Sequence, residues 1–201
     1  DEIASIQQKL QEQELAAIMS GAATRSDITA GEALGRQVAQ LFTARARTDN
    51  AGKAVGTQAD WNKLKTTAQA KDQLPWLSLE TPKRPPMLPL FGRVKCFLFD
   101  SATLISLRPG PPPSTGSDSM KNATAEVYAK IKSPTRDQMK LVQYWADGAG
   151  TFTPPGHWNA IAAEDFIKKN FSEVRWARNL ALLNCAEMDA AVSCWDIKYY
   201  Y

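Results

Sequence analysis

One histidine, His157, and three cysteines, Cys96, Cys185 and Cys194, are all this chain has of the side chains that most often hold transition metals. With no second histidine and no close cysteine pair, no metal constellation is expected. Three cysteines also make no disulfide framework; Cys185 and Cys194, nine residues apart on one expected helix, would stand about 13 Å apart along its axis. No run of about 18 or more uninterrupted apolar residues occurs, so no transmembrane segment is expected. Charge of one sign is scarce as well: 24 Lys and Arg face 21 Asp and Glu, for a net charge of +3. Without a basic stripe interleaved with aromatics, nucleic acid is excluded as a partner. What remains is 44% apolar content over 201 residues, enough for a core of its own.

Proline is unevenly placed. Nine of the twelve prolines fall between Leu74 and Pro113, where missing backbone donors and blocked φ angles predict an extended, largely irregular segment. Trp76, Leu77, Met87, Leu88, Leu90, Phe91 and Phe97 to Phe99 lie among them, too apolar for a disordered linker. The segment is expected to wrap onto the rest of the chain. Pro109 to Pro113 lacks the repeated spacing of a proline-ligand motif.

Elsewhere the periodicity is helical. Ile3, Ile6, Leu10, Leu15, Ile18 and Met19 predict a helix up to Gly21, and a second follows a Ser26-Asp27 cap through Leu34, Val38, Leu41 and Phe42 to about Thr48. A polar, glycine-bearing break spans Asp49 to Gly56, and Trp61 to Lys71 reads as a short helix. After the prolines, Ala123, Val127 and Ile131 mark one helix, and Met139, Val142 and Trp145 mark the inward face of another ending at Asp147-Gly148. A Gly, Thr and Pro loop then delivers His157 to the start of a helix running to about Asn170. The expected fold is all-α: a helical bundle with a long proline-rich irregular wrap, in a single domain of residues 1–201 divided into 1–72, 73–118 and 119–201.

The last helix, capped by Ser172, is apolar on nearly every side from Leu180 to Trp195, which predicts a central helix surrounded by others. Glu187, Asp189, Asp196 and Lys198 interrupt it, and such groups are costly to bury unless paired or bound. Glu187, Cys194 and Lys198 fall within about 20° of one line at 100° per residue. Two readings follow. Either Glu187 and Lys198 form an internal pair or Lys198 has reached solvent at the helix end; or Lys198 points a cation into an anion pocket, with Trp195 one turn behind as a wall.

Cys194-Trp195-Asp196-Ile197-Lys198-Tyr199, preceded by Met188-Asp189-Ala190-Ala191, resembles the first active-site motif of the vanadium haloperoxidase and type 2 phosphatidic acid phosphatase superfamily. Tyr144-Trp145-Ala146-Asp147 and Thr153-Pro154-Pro155-Gly156-His157-Trp158 are similar to the helix and proline turn that precede it in the bacterial haloperoxidase-like branch. The resemblance covers most of the chain from about Ala30 and implies a two-bundle architecture, of which these residues are the N-terminal half. It also implies an Arg-Pro pair, a Pro-Ser-Gly-His and a Ser-Arg followed by a His, none of which stands after Lys198 here. Pro155-Gly156-His157 is not that Pro-Ser-Gly-His, because it precedes the lysine in chain order.

The resemblance thus implies a phosphatase-like enzyme, in which a His attacks phosphorus and no cofactor is needed, or a haloperoxidase-like one, in which vanadate is the cofactor. The substrate would be a small anion: a phosphate ester, or a halide with peroxide. Lys198 is the expected catalytic and anion-binding residue, with Trp195 and His157 as further substrate-binding candidates. His157 has two readings: a neutral ring held by Trp158 or Asn159 at a helix start, or a residue lining the mouth of the anion pocket. Association is expected as a homo-oligomer or with a C-terminal half that completes the site. The non-Met first residue and the family point to a periplasmic or secreted protein. A different class, a catalytically inert helical scaffold or interaction domain, accounts for the same helices with a dead pocket.

Overall fold

Three helices of this protein begin with the same device, a threonine whose hydroxyl accepts from the backbone N–H three residues on while the side chain there accepts from the threonine's own N–H. Thr24 and Asp27, Thr57 and Asp60, and Thr135 and Gln138 form these reciprocal caps. A computed structural model describes residues 2–201. Among them are eight α-helices and no strands, an all-α fold as expected.

The chain divides into two compact units, up to Gly52 and from Lys53 on, with the division inside the polar break between Asp49 and Gly56. The first unit holds α1 (Glu2–Met19) and α2 (Arg25–Ala46). The α2 cap is Thr24 rather than Ser26-Asp27: the Thr24 N–H donates to Asp27 Oδ2 at 2.8 Å and the Asp27 N–H returns a bond to Thr24 Oγ1 at 3.2 Å. The Thr24 hydroxyl, which also donates to Asp27 Oδ2 at 2.6 Å, and the Thr24 N–H hold the Asp27 carboxyl below its ordinary pKa.

The second unit holds α3 (Gln58–Ala70), α4 (Ser101–Ser106), α5 (Asp118–Lys132), α6 (Arg136–Trp145), α7 (Thr153–Lys168) and α8 (Glu173–Tyr200). The proline-rich segment is irregular as far as a 3₁₀ turn at Phe91–Arg93. It then forms α4, capped by Asp100 Oδ1 accepting from the Thr103 N–H at 2.8 Å, in the stretch that prolines spare. The helix carrying His157 starts at Thr153, a turn earlier than expected, because Pro154 and Pro155 supply fixed φ angles at its first positions.

The largest departure concerns α8. It is not surrounded by helices: α7 packs against one side, Ala181, Leu182, Ala186 and Ala190 are exposed, and the C-terminal half lies against the proline-rich segment. That segment makes few backbone bonds of its own, so its polar groups must find partners elsewhere. Asp189, 2% exposed, accepts from the Phe97 and Leu98 N–H groups at 2.7 Å each. The Arg108 guanidinium donates to both Asp196 oxygens at 2.6 and 2.8 Å and lies 3.9 Å from the Tyr200 ring centre. The Tyr201 hydroxyl donates to the Pro109 carbonyl. Val192, fully buried, fills the seam between these anchors.

Gly92 marks the closest approach. A Cβ there would stand 2.4 Å from the Asp196 Cα, so only glycine lets the 3₁₀ turn lie on the helix backbone. Against α7, Asn184 and Asn159 exchange side-chain amide bonds at 3.0 and 3.1 Å. The face of α6 expected inward is not covered: Met139, Val142 and Trp145 are exposed, as are Val127 and Ile131 of α5. Period alone identifies an apolar face without naming what packs on it.

Candidate functional site

At its last turn α8 meets α3 and the proline-rich segment around a cavity of about 260 Å³. Trp61, Leu64, Lys65 and Ala68, spaced three, four and seven residues from the first, present one face of α3 to it. Pro75, Trp76, Arg84, Pro86 and Met87 come from the irregular segment, and Lys198 and Tyr199 from α8.

Local hydrogen bonds fix these walls. The Trp61 indole donates to the Val55 carbonyl at 2.9 Å. Buried Ser78 accepts from the Glu80 and Arg84 N–H groups at 3.3 Å each, closing a turn that brings Arg84 Nε to 2.6 Å from Glu80 Oε1. The Arg84 guanidinium then lies 5.3 Å from the Trp76 ring centre. From α8 the Trp195 indole and the Tyr199 hydroxyl both donate to the Met87 carbonyl, at 3.1 and 2.7 Å. Trp195 also meets Phe91 edge to face at 5.8 Å. Burial pushes the Tyr199 phenol above its ordinary pKa, with the nearby Arg84 charge acting in the opposite sense.

Lys198 is exposed to solvent and borders the cavity. Its ammonium lies 5.1 Å from the Trp195 ring centre and 5.8 Å from that of Tyr199, so Trp195 stands behind the lysine but does not line the cavity as the expected wall. It does not pair with Glu187. Eleven residues of helix separate the two by about 16 Å, and both Glu187 oxygens are buried without a hydrogen-bond partner. Desolvation raises the Glu187 pKa. Among the described residues neither Lys198 nor Lys65 has a carboxylate within salt-bridge distance. The cavity therefore carries three cations against the one carboxylate, Glu80, engaged by Arg84.

His157 is not brought to this cavity. It is 4% exposed, with Nδ1 3.0 Å from both oxygens of Asp147. Its ring is stacked on Trp145 at 4.9 Å and meets Tyr144 and Phe152 edge-on at 4.5 and 5.3 Å. Neither Trp158 nor Asn159 holds it; Asn159 is committed to Asn184 and the Pro155 carbonyl. Asp147, with φ of +39°, sits just beyond the end of α6, where the left-handed turn aims its carboxylate back at α7. The imidazole and carboxylate thus serve as a buried clamp between α6 and α7.

The grouping of Lys65 and Arg84 with Lys198 has no local sequence signal. All three lie far apart in the chain, and lysines on an exposed helix ordinarily read as solvated. What the arrangement can do chemically is hold an anion: its donors are ammonium and guanidinium groups, and no imidazole, thiolate or unpaired carboxylate lines it to take a metal cation. Searched against protein-family models, curated proteins and solved structures, the chain matches none.

Proposed function

We propose that Lys198, with Arg84 and Lys65, holds a tetrahedral oxyanion, phosphate or its analogue vanadate, as part of a phosphatase-like or vanadate-dependent haloperoxidase-like enzyme. The observation that carries this reading is an ammonium without a carboxylate partner, bordering a formed cavity that two further cations share. In either mode the residues act electrostatically. Cations fixed before the ligand arrives stabilise charge building on equatorial oxygens without reorganising, and Arg84, held by Glu80 and Trp76, offers a planar fork suited to two oxygens at once.

Vanadate fits the same donor set, and when bound it would supply peroxide activation for halide oxidation. The imidazole that attacks phosphorus or ligates vanadate in such enzymes is not among the lining residues. Turnover on this reading belongs to a molecule that also carries the Arg-Pro and Ser-Arg…His motifs. A periplasmic or secreted location rests on the same resemblance.

Titration calorimetry of the 201-residue chain with inorganic phosphate and with vanadate tests the site. Binding is expected to weaken by about tenfold or more in Lys198→Ala and to be unchanged in Lys121→Ala on α5. Absence of binding to either anion overturns the reading.

A second reading, a helical interaction scaffold, is favoured by the exposed apolar side chains of α1, α2, α5 and α6, among them Ile6, Leu10, Leu34, Leu41, Ile131 and Val142. No anion affinity, together with concentration-dependent association in sedimentation, would replace the first reading with this one.

A further inference from the structure

The cavity beside Lys198 is more apolar than an oxyanion alone requires. A bare phosphate would engage the three cations and leave the indoles of Trp61 and Trp76 and the rings of Pro75 and Pro86 wetted. The two indoles are the cavity's flat, aromatic part, beside aliphatic Leu64, Ala68 and Met87. They are also held in place: Trp61 by the Val55 carbonyl, and Trp76 beneath an Arg84 guanidinium that Glu80 fixes in turn. Tyr199, tethered to the Met87 carbonyl, closes the side next to Lys198.

Size narrows the occupant further. A cavity of about 150 Å³ takes a benzene ring, so about 260 Å³ has room for one ring and a tetrahedral group. Walls fixed before binding spend little ordering entropy when a rigid ring enters.

We propose that the ligand of this cavity is a single aromatic ring bearing the anion, an aryl phosphate, with the ring against Trp61 and Trp76 and the phosphoryl oxygens toward Lys65, Arg84 and Lys198. The assignment rests on the anion reading above and adds the ring to it. Aromatic pairs prefer offset or edge-to-face contact, and Trp76, which already carries a cation over its ring, keeps Arg84 between the ring subsite and the anion subsite.

Calorimetry of the 201-residue chain with phenyl phosphate, inorganic phosphate and phenol tests it. Phenyl phosphate is expected to bind roughly tenfold more tightly than inorganic phosphate, and phenol more weakly than phenyl phosphate. Trp76→Ala should abolish the advantage of the ring, read as the ratio of phenyl phosphate to inorganic phosphate affinity so that any loosening of Arg84 acts on both ligands alike, and Trp76→Phe should keep most of it; circular dichroism checks that each variant is folded. Trp76→Leu, apolar but not flat, serves if the alanine variant does not fold, and should also lose the advantage. Equal affinity for phenyl phosphate and inorganic phosphate overturns the aryl assignment and leaves the anion site standing. A ring advantage that survives in both Trp76→Ala and Trp76→Leu also overturns it. Failure of both anions to bind removes the aryl proposal and the anion reading together.

Discussion

Two carboxylates of α8, Asp189 and Glu187, stand two residues apart in opposite conditions. Asp189 accepts two backbone N–H groups of the irregular segment, whereas both Glu187 oxygens are buried with nothing to accept from. A charge in that position costs free energy, and burial accordingly raises the Glu187 pKa. The sign follows: an acid whose folded-state pKa lies above its unfolded value favours the fold while protonated, and this contribution is lost as pH rises through the folded value. Glu187→Gln is therefore expected to raise the thermal midpoint at neutral pH and to have little effect at or below about pH 4. Thermal denaturation of the two proteins across that range checks it; an equal shift at both ends would contradict it. Lys198 was legible at this scale because a charged residue in an apolar helix has few explanations. The partner of His157 was not, since Asp147 in the sequence looks only like the close of a helix.

Elements are where local rules worked best and neighbour assignments worked least. Period located seven of the eight helices of the described residues, because that signal is written within four residues of where it acts. The caps read less well: α2 is capped by Thr24 rather than Ser26-Asp27, Ser172 makes no capping bond, and α4 arises in the segment expected to be irregular. The expectation that α8 sits among helices failed because apolar residues on every side do not require every side to be covered: Leu182 is exposed. Over the C-terminal half the cover is an irregular chain, which can approach a helix more closely than another helix does. Gly92 makes that approach, and Gly92→Ala would drive a methyl carbon into the Asp196 backbone at 2.4 Å. A loss of about 2 kcal/mol in denaturant unfolding is expected, larger than the cost of alanine at Gly116, where nothing stands within 4 Å. Equal costs would show that the turn does not rest on the helix.

At the scale of the molecule the candidate site belongs to one unit. Every residue lining the cavity lies between Trp61 and Tyr199, within the unit that starts at Lys53. Residues 53–201 expressed alone are accordingly expected to bind phosphate as the 201-residue chain does, within about twofold by calorimetry; a loss of tenfold or more would place part of the site in α1 or α2. Of the residues lining the cavity only Lys198 stood out in the sequence, because the spacing that brings Lys65 and Arg84 beside it exists only after the proline-rich segment has folded back; Trp195 lies behind the lysine, outside the lining.

The anchors along α8 run in order from Asp189 through Trp195 and Asp196 to Tyr199 and Tyr201, gripping Phe97 and Leu98, Met87, Arg108, Met87 again and Pro109 of the same covering segment. Such a seam opens like a zip fastener. Parting from the Tyr201 end releases Pro109, Arg108 and Met87 before the two bonds at Asp189 are strained, so the binding cavity would come apart while the helix was still moored at its middle.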